Sequence, residues 1–266
     1  ITPTDERKLE RPLAATGSLP PCGGGLGRGV PVKLDLLQAL NTERAARRAA
    51  VLVTDIASGA QRLVRAAEAA ADPLAELVAQ HLRTGKSGMA ETPTGRVFLT
   101  VHVPPPRLVV IGAVHISQAL YPMAAIAGYD LSIIDPRTAF ATPERFEGVD
   151  LAAEWPEDVL AERPLDRYSA LVAVTHDPKI DDFPIAAALK AGCFYVGALG
   201  SRKTHAKRVE RLMAQGFSEA DIARISAPVG IDIGAATPAE IAVATLADVI
   251  LAFRRRALPA SGGEPA

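Results

Sequence analysis

Three segments of the chain carry residue types that do chemistry. The first is Gly112-Ala113-Val114-His115-Ile116, which follows a short apolar run. A glycine there permits backbone geometry that other residues avoid, and the amides after it open a helix whose N-terminus can hold a phosphate. The second runs from Thr175 through His176, Asp177, Pro178, Lys179 and Ile180 to Asp181 and Asp182. His176 can act as a general acid/base or a metal ligand, and Asp177 can orient it. Asp181 and Asp182 have a structural alternative, as the N-cap of a helix over 183–191. The third is Gly200-Ser201-Arg202-Lys203-Thr204-His205. Arg202, Lys203, His205, Lys207 and Arg208 crowd the start of a helix over 201–213, the end at which the dipole repels cations. A bound anion would offset that cost, held by the first-turn amides and Arg202.

The elements that must position these residues alternate strand and helix. Residues 108–111 form an apolar run, 117–127 carry apolar side chains at helical spacing, and 131–134 form a second apolar run closed by Asp135. That is the layout of a dinucleotide-binding βαβ unit, with Asp135 placed to take a ribose hydroxyl and Arg137 to take a phosphate. In the G-x-G-x-x-G template the three positions are Gly112, Val114 and Ser117, and Val114 is expected to crowd a diphosphate in the usual pose. Pro122 falls inside the helix and removes one of its hydrogen bonds. Residues 138–158 read as a loop over the carboxyl edge of the sheet, anchored by Phe140, Phe146 and Trp155. Further strands are expected at 169–174 and 193–196, with a glycine-flanked loop around Asp232. Thr237-Pro238-Ala239-Glu240 forms a capping box that opens a last helix over 241–253.

Residues 107–256 are thus expected to form a Rossmann-like domain, a doubly wound parallel sheet of the α/β class, with 257–266 as a tail. Before it, residues 32–103 are expected to form a small α/β N-terminal domain. Its elements are a helix over 32–48 with Leu36, Leu37 and Leu40 on one side, strands at 50–55 and 61–65, a helix at 73–83, a loop at 84–95 and a strand at 96–102. Pro104-Pro105-Pro106 is a stiff linker between the two. Gly85-Lys86-Ser87 lacks the earlier glycine of a P-loop, because Gln80 stands there. Residues 1–31, rich in Pro and Gly, read as a flexible arm containing Cys22.

The charge balance, 29 Lys and Arg against 30 Asp and Glu, gives no basic excess to recruit nucleic acid. Two distant cysteines, Cys22 and Cys193, make neither a disulfide framework nor a zinc spacing, which suits the reducing cytoplasm. Residues 108–129 carry no Asp, Glu, Lys or Arg, but Gly112, His115, Gln118 and Pro122 fit a strand, turn and helix better than a membrane span.

Five segments in this order, IGAVHISQAL, IIDPRTAFATPERF, THDPKIDD, VGALGSRKTHAKRVERL and PVGIDIGAATPAEIAV, resemble the Rossmann domain of the XdhC/CoxI family. These are accessory proteins of molybdenum hydroxylases such as xanthine dehydrogenase and carbon monoxide dehydrogenase. The resemblance implies a maturation role: binding the molybdenum cofactor, as molybdopterin or its dinucleotide form, during sulfuration by a cysteine desulfurase, and inserting it into the hydroxylase large subunit. Under it, Gly200–Thr204 would hold a phosphate, and His176 and Asp177 would face the pterin or the metal. Val114 replaces the glycine usual in the family's GAGH motif, and no SISGGCVE-type segment occurs. An NAD(P)H- or FAD-binding oxidoreductase and a bare docking module are the competing functions; a homodimer is compatible with each.

Overall fold

A Val- and Ile-rich run such as Leu108–Ile111 has no polar face to offer water, so it belongs in a strand covered on both sides. The computed structural model describes residues 31–256 and places that run at the centre of a six-stranded sheet. The arm with Cys22 and the tail after Arg256 lie outside the described residues.

In chain order the elements are helix α1 (Leu34–Ala45), strands β1 (Ala50–Asp55) and β2 (Gln61–Arg65), a 3₁₀ turn (Ala66–Ala71), α2 (Ala75–Thr84), β3 (Gly88–Thr92) and β4 (Gly95–His102). Then follow β5 (Arg107–Ile111), α3 (His115–Ile126), β6 (Asp130–Ile134), β7 (Asp150–Ala152), α4 (Pro156–Glu162), β8 (Ser169–Ala173) and α5 (Pro178–Lys190). The chain continues through β9 (Tyr195–Ala198), α6 (Arg202–Ala214), α7 (Glu219–Ile222), β10 (Ile225–Ser226) and α8 (Pro238–Arg255).

The larger sheet has the order β10-β9-β8-β5-β6-β7, and all its pairings are parallel. The strand order reverses between β5 and β8, which creates a crevice at their carboxyl ends. Side-chain alternation divides the core. Leu108 and Val110 meet Ile116 and Leu120 of α3 and Leu246 and Val249 of α8, while Val109 and Ile111 meet Val159, Ile185 and Leu189. Helices therefore cover both faces, as a doubly wound fold requires.

The four-stranded sheet, β2-β1-β4-β3, is antiparallel throughout. Val51, Val53, Val97 and Leu99 share one cluster with Val78 and Leu82 of α2, and Tyr168 and Phe253 of the larger layer join it. Arg47 adds a polar tie, donating to Asp166 at 2.6 Å and to the Pro105 carbonyl at 2.9 Å.

Several expectations need correction. The segment 84–95 is not all loop: Gly88–Thr92 pairs with β4 as an edge strand, whose half-exposed residues offer no apolar run to read. Strands β7 and β10 are only three and two residues long, too short for a periodic signal. Cys193 precedes strand β9, its amide closing the end of α5 by donating to the Ala188 carbonyl. On α1 only Leu40 of the three leucines is buried, and Leu37 is exposed. Phe146 is a core residue, whereas Phe140 and Trp155 are exposed. Helix α3 runs through Pro122, which lies on its exposed side.

Candidate functional site at the carboxyl edge of the parallel sheet

The loops after β5, β8 and β9 leave adjacent strands on the same edge, and the first two touch. Gly112 has φ 120°, and a Cβ built on it would lie 2.9 Å from Cγ2 of Thr175 and 3.2 Å from Cγ2 of Val174. Glycine is therefore required twice over, by backbone conformation and by the neighbouring loop. Val114 is the N-cap residue of α3 in extended backbone, and its partly buried side chain packs against the core cluster. No side chain caps α3 and no acid occupies its first turn. The first-turn amides and the positive end of the dipole thus remain available at the crevice.

Asp135 does not fill the role expected of it. It is fully buried, and all four acceptor directions of its carboxylate are used. Oδ2 accepts from the Ala113 amide at 2.7 Å and from Nη2 of Arg137 at 2.7 Å, while Oδ1 accepts from the Arg137 amide and Nε at 2.9 Å each. None is left for a ribose hydroxyl. Burial pushes the carboxyl up, but the Arg137 guanidinium and the two amides outweigh it and hold the group below the usual carboxylate range. Asp135 instead fixes the glycine turn and the Arg137 side chain, which also lies over the Phe140 ring at 4.5 Å.

Arg145, in the TPERF segment, carries no chemical signal of its own in the sequence, and only the tertiary structure brings it to the site. Its Nη1 donates to the carbonyls of Ala113 at 3.1 Å and Phe140 at 2.7 Å, and its Nη2 donates to Oε1 of Gln118 at 3.2 Å. A second guanidinium is thereby held against the turn that opens α3.

In the second loop the capping assignment moves. Asp177 caps α5, its Oδ1 accepting from the Lys179 amide at 2.9 Å. Asp182 pairs with Arg211 of α6. Asp181 is 1% exposed, and its Oδ1 accepts from the Thr175 hydroxyl at 2.7 Å. His176 is exposed with φ 64°, a left-handed conformation uncommon for a non-glycine residue, and no hydrogen bond to its ring is found among the described residues. Asp177 therefore does not orient it.

In the third loop Ser201 caps α6, its Oγ accepting from the Thr204 amide at 3.2 Å, with Arg202 and Lys203 exposed beside it. Arg208 turns back under this loop, 2% exposed, and donates through Nη2 to the Leu199 carbonyl at 3.2 Å. Its Nε and Nη1, Oδ2 of Asp181 and Nδ1 of His205 are buried without a hydrogen-bond partner. Arg208 reads in the sequence as one more helix cation; its burial is a tertiary fact. Asp232, in the loop that follows β10, closes its own turn by accepting from the Gly234 amide at 3.2 Å.

Burial pushes the Asp181 carboxyl up to about 6, a rise only partly offset by the Thr175 hydroxyl, the Arg208 charge and the amides of Thr175 and His176. Because the folded protein binds this proton more tightly than the unfolded chain, stability falls as pH rises from the ordinary value of 3.8 through about 6. The loss is on the order of 3 kcal/mol. Asp181→Asn is expected to remove most of that slope and to be the more stable protein near neutral pH. Urea unfolding on either side of the window measures it, and equal slopes would refute the assignment.

Among the described residues no group of three or more His, Cys, Asp or Glu could hold a metal ion, and no helix is long and apolar enough to cross a membrane. Burial pushes the Cys193 thiol up to about 12, which leaves it protonated and inert near neutral pH. A cavity of about 720 Å³ lies away from the edge, lined by Arg44, Arg47, His102, Pro104 and Pro105 among others.

Residues 108–249 match the family model described as the XdhC Rossmann domain. YqeB, an uncharacterized protein of Escherichia coli (strain K12), is 34% identical over 58% of this chain and 28% of its own length. A protein of Bacillus subtilis (strain 168) named as a probable xanthine dehydrogenase subunit is 32% identical over 62% of this chain and 48% of its own. The molybdenum cofactor insertion chaperone PaoD of Escherichia coli (strain K12) is 32% identical over 54% of this chain and 39% of its own. The matches thus span less than half the length of each of these relatives. A crystal structure described as a xanthine dehydrogenase from Bacillus halodurans superposes with a TM-score of 0.59 at 23% identity, covering 84% of this chain and 69% of that one, a likeness of fold. The matched domain is more than half of the 266 residues, and the chain belongs to the XdhC family.

Proposed function

We propose that the chain is a maturation factor for a molybdenum hydroxylase, holding a phosphate-bearing pterin cofactor at the carboxyl edge of the parallel sheet while it is completed and passed on. The names of two relatives, a xanthine dehydrogenase subunit and a molybdenum cofactor insertion chaperone, support the role. The observation that carries the site is the turn after β5. An uncapped helix N-terminus lies at the strand-order reversal, next to two anchored guanidinium groups, Arg137 and Arg145. The residues fit the group in a second respect. Unpartnered buried donors and an acceptor, on Arg208 and Asp181, lie under the neighbouring loops.

In this reading the amides of His115 and Ile116 and the charge of Arg145 take a phosphate, with Arg202 and Lys203 adding charge from the α6 side. Gly112 keeps the turn close to Thr175, and Ala113 is held by Asp135. His176, exposed on a left-handed backbone, faces whatever projects from the crevice and can exchange a proton with it. When bound, the cofactor supplies the molybdenum centre for the recipient enzyme, and the chain supplies the grip and the exclusion of water. The recipient is the hydroxylase large subunit. The oxidoreductase alternative relies on Asp135 as a ribose acceptor, a role its saturated carboxylate leaves unfilled.

Equilibrium binding of the molybdenum cofactor to the purified chain, read from pterin fluorescence after oxidation of the bound fraction, tests the reading. Arg145→Ala and Arg202→Ala are each expected to weaken binding by roughly 1.5–3 kcal/mol, as loss of a charge-assisted bond does. Unchanged affinity in both variants would remove the phosphate from this edge.

A further inference from the structure

Helices α5 and α6 face each other across two pairs of charged residues. In one of them, Asp182 and Arg211 meet in a two-point ion pair. In the other, nearer the carboxyl edge of the sheet, Asp181 and Arg208 are almost completely buried yet form no ion pair. The Thr175 hydroxyl holds one carboxylate oxygen of Asp181, and the Leu199 carbonyl takes one guanidinium nitrogen of Arg208. Among the described residues, the remaining oxygen of Asp181 and Nε and Nη1 of Arg208 have no hydrogen-bond partner. A buried polar group without a partner is costly, more so when charged, so such a cluster is uncommon unless something satisfies it.

We propose that Asp181 and Arg208 form the specificity slot of the cofactor site, taking an uncharged ring edge that presents an N–H beside a C=O. The N–H would donate to Oδ2 of Asp181, and the carbonyl would accept from Arg208. The amino-oxo edge shared by pterins and guanine has this character. A phosphate does not, because it offers only acceptors and would be repelled by the Asp181 carboxylate. The anion and the ring are therefore read separately: phosphate at the α3 and α6 helix starts, ring edge beneath them. Both side chains lie under the loops at Thr175–Pro178 and Leu199–Ser201, so parting of these loops is part of binding. This assignment rests on the proposed cofactor reading.

The test uses the full chain and free pterin, read by quenching of pterin fluorescence. Quinoxaline, a fused ring with acceptors and no N–H, is the comparison, and pyrophosphate is the control for the anion site. The wild type is expected to favour pterin over quinoxaline by about tenfold or more, the worth of one hydrogen bond to a charged group. Asp181→Leu and Arg208→Met are each expected to erase that preference while changing pyrophosphate affinity less than twofold. The double variant buries no unpaired charge and preserves a folded protein if a single one does not fold. Guanosine monophosphate binding as tightly as pterin would assign the slot to a purine end of the ligand, and weaker binding to its pterin end; both uphold the slot. An unchanged pterin preference in the folded double variant, as expected if the slot holds only an internal water, would overturn it. If the wild type retains the intact cofactor and yet shows no pterin preference, the slot alone falls. If it retains no cofactor, the proposed function falls with it.

Discussion

Asp135→Ala is expected to lower folding stability by about 3–5 kcal/mol. The carboxylate is buried and accepts four hydrogen bonds, two from backbone amides and two from the Arg137 side chain. Removing it leaves the Ala113 amide without its acceptor and strands a partly buried guanidinium, the circumstance in which breaking an ion pair is most costly. In a protein of this size the midpoint of thermal unfolding should drop by roughly 10 °C. The pH dependence has a definite sign. The folded-state carboxyl lies below its ordinary value of 3.8, so its contribution is fully present above that value and is lost as pH falls through the folded one. Thermal and urea unfolding of the variant measure both effects. A change under about 1 kcal/mol, the net worth of one ordinary hydrogen bond, would mean that the Ala113 turn is held by something other than Asp135.

Gly112→Val is expected to be about as severe, and for a different reason. At φ 120° a β-branched residue sits where only glycine is comfortable, which costs about 1–3 kcal/mol. Its Cβ would also press on Thr175 Cγ2 and Val174 Cγ2 in the next strand's loop, and overpacking of that kind adds about 1–3 kcal/mol. Unlike Asp135→Ala, the substitution displaces the Thr175 loop itself, and with it the hydroxyl that holds Asp181. Cofactor retention should therefore be lost even in preparations that remain folded, as judged by circular dichroism and the fluorescence of bound pterin. Wild-type retention by a folded Gly112→Val protein would show that the two loops do not act as one site.

Much of the fold is legible because the parallel sheet is built from signals that do not depend on context. Leu108–Ile111 is apolar at every position, and Thr237-Pro238-Ala239-Glu240 satisfies its own backbone locally, so strand β5 and the start of α8 follow from the residues alone. Strands β3, β7 and β10 are not legible as strands, since each is short or an edge and borrows its hydrogen bonds from a neighbour. The candidate site divides in the same way. The glycine turn and the cap at Ser201 are local features and can be read. The saturation of Asp135, the anchoring of Arg145 on the Ala113 carbonyl and the burial of Arg208 each depend on groups meeting across elements. Asp177 and Asp181 show the limit most clearly: four residues apart on one helix start, one caps the helix and the other is buried, and residue type alone does not decide which.

Hydrogen–deuterium exchange of the chain, with and without saturating molybdenum cofactor, reports whether one ligand engages the loops after β5, β8 and β9 together. Slowed exchange is expected in three stretches together, residues 112–118, 175–181 and 199–205, because one ligand would cover all three helix starts. Protection confined to the surroundings of Arg44, Arg47 and His102, or absent from the first of those stretches, would contradict it.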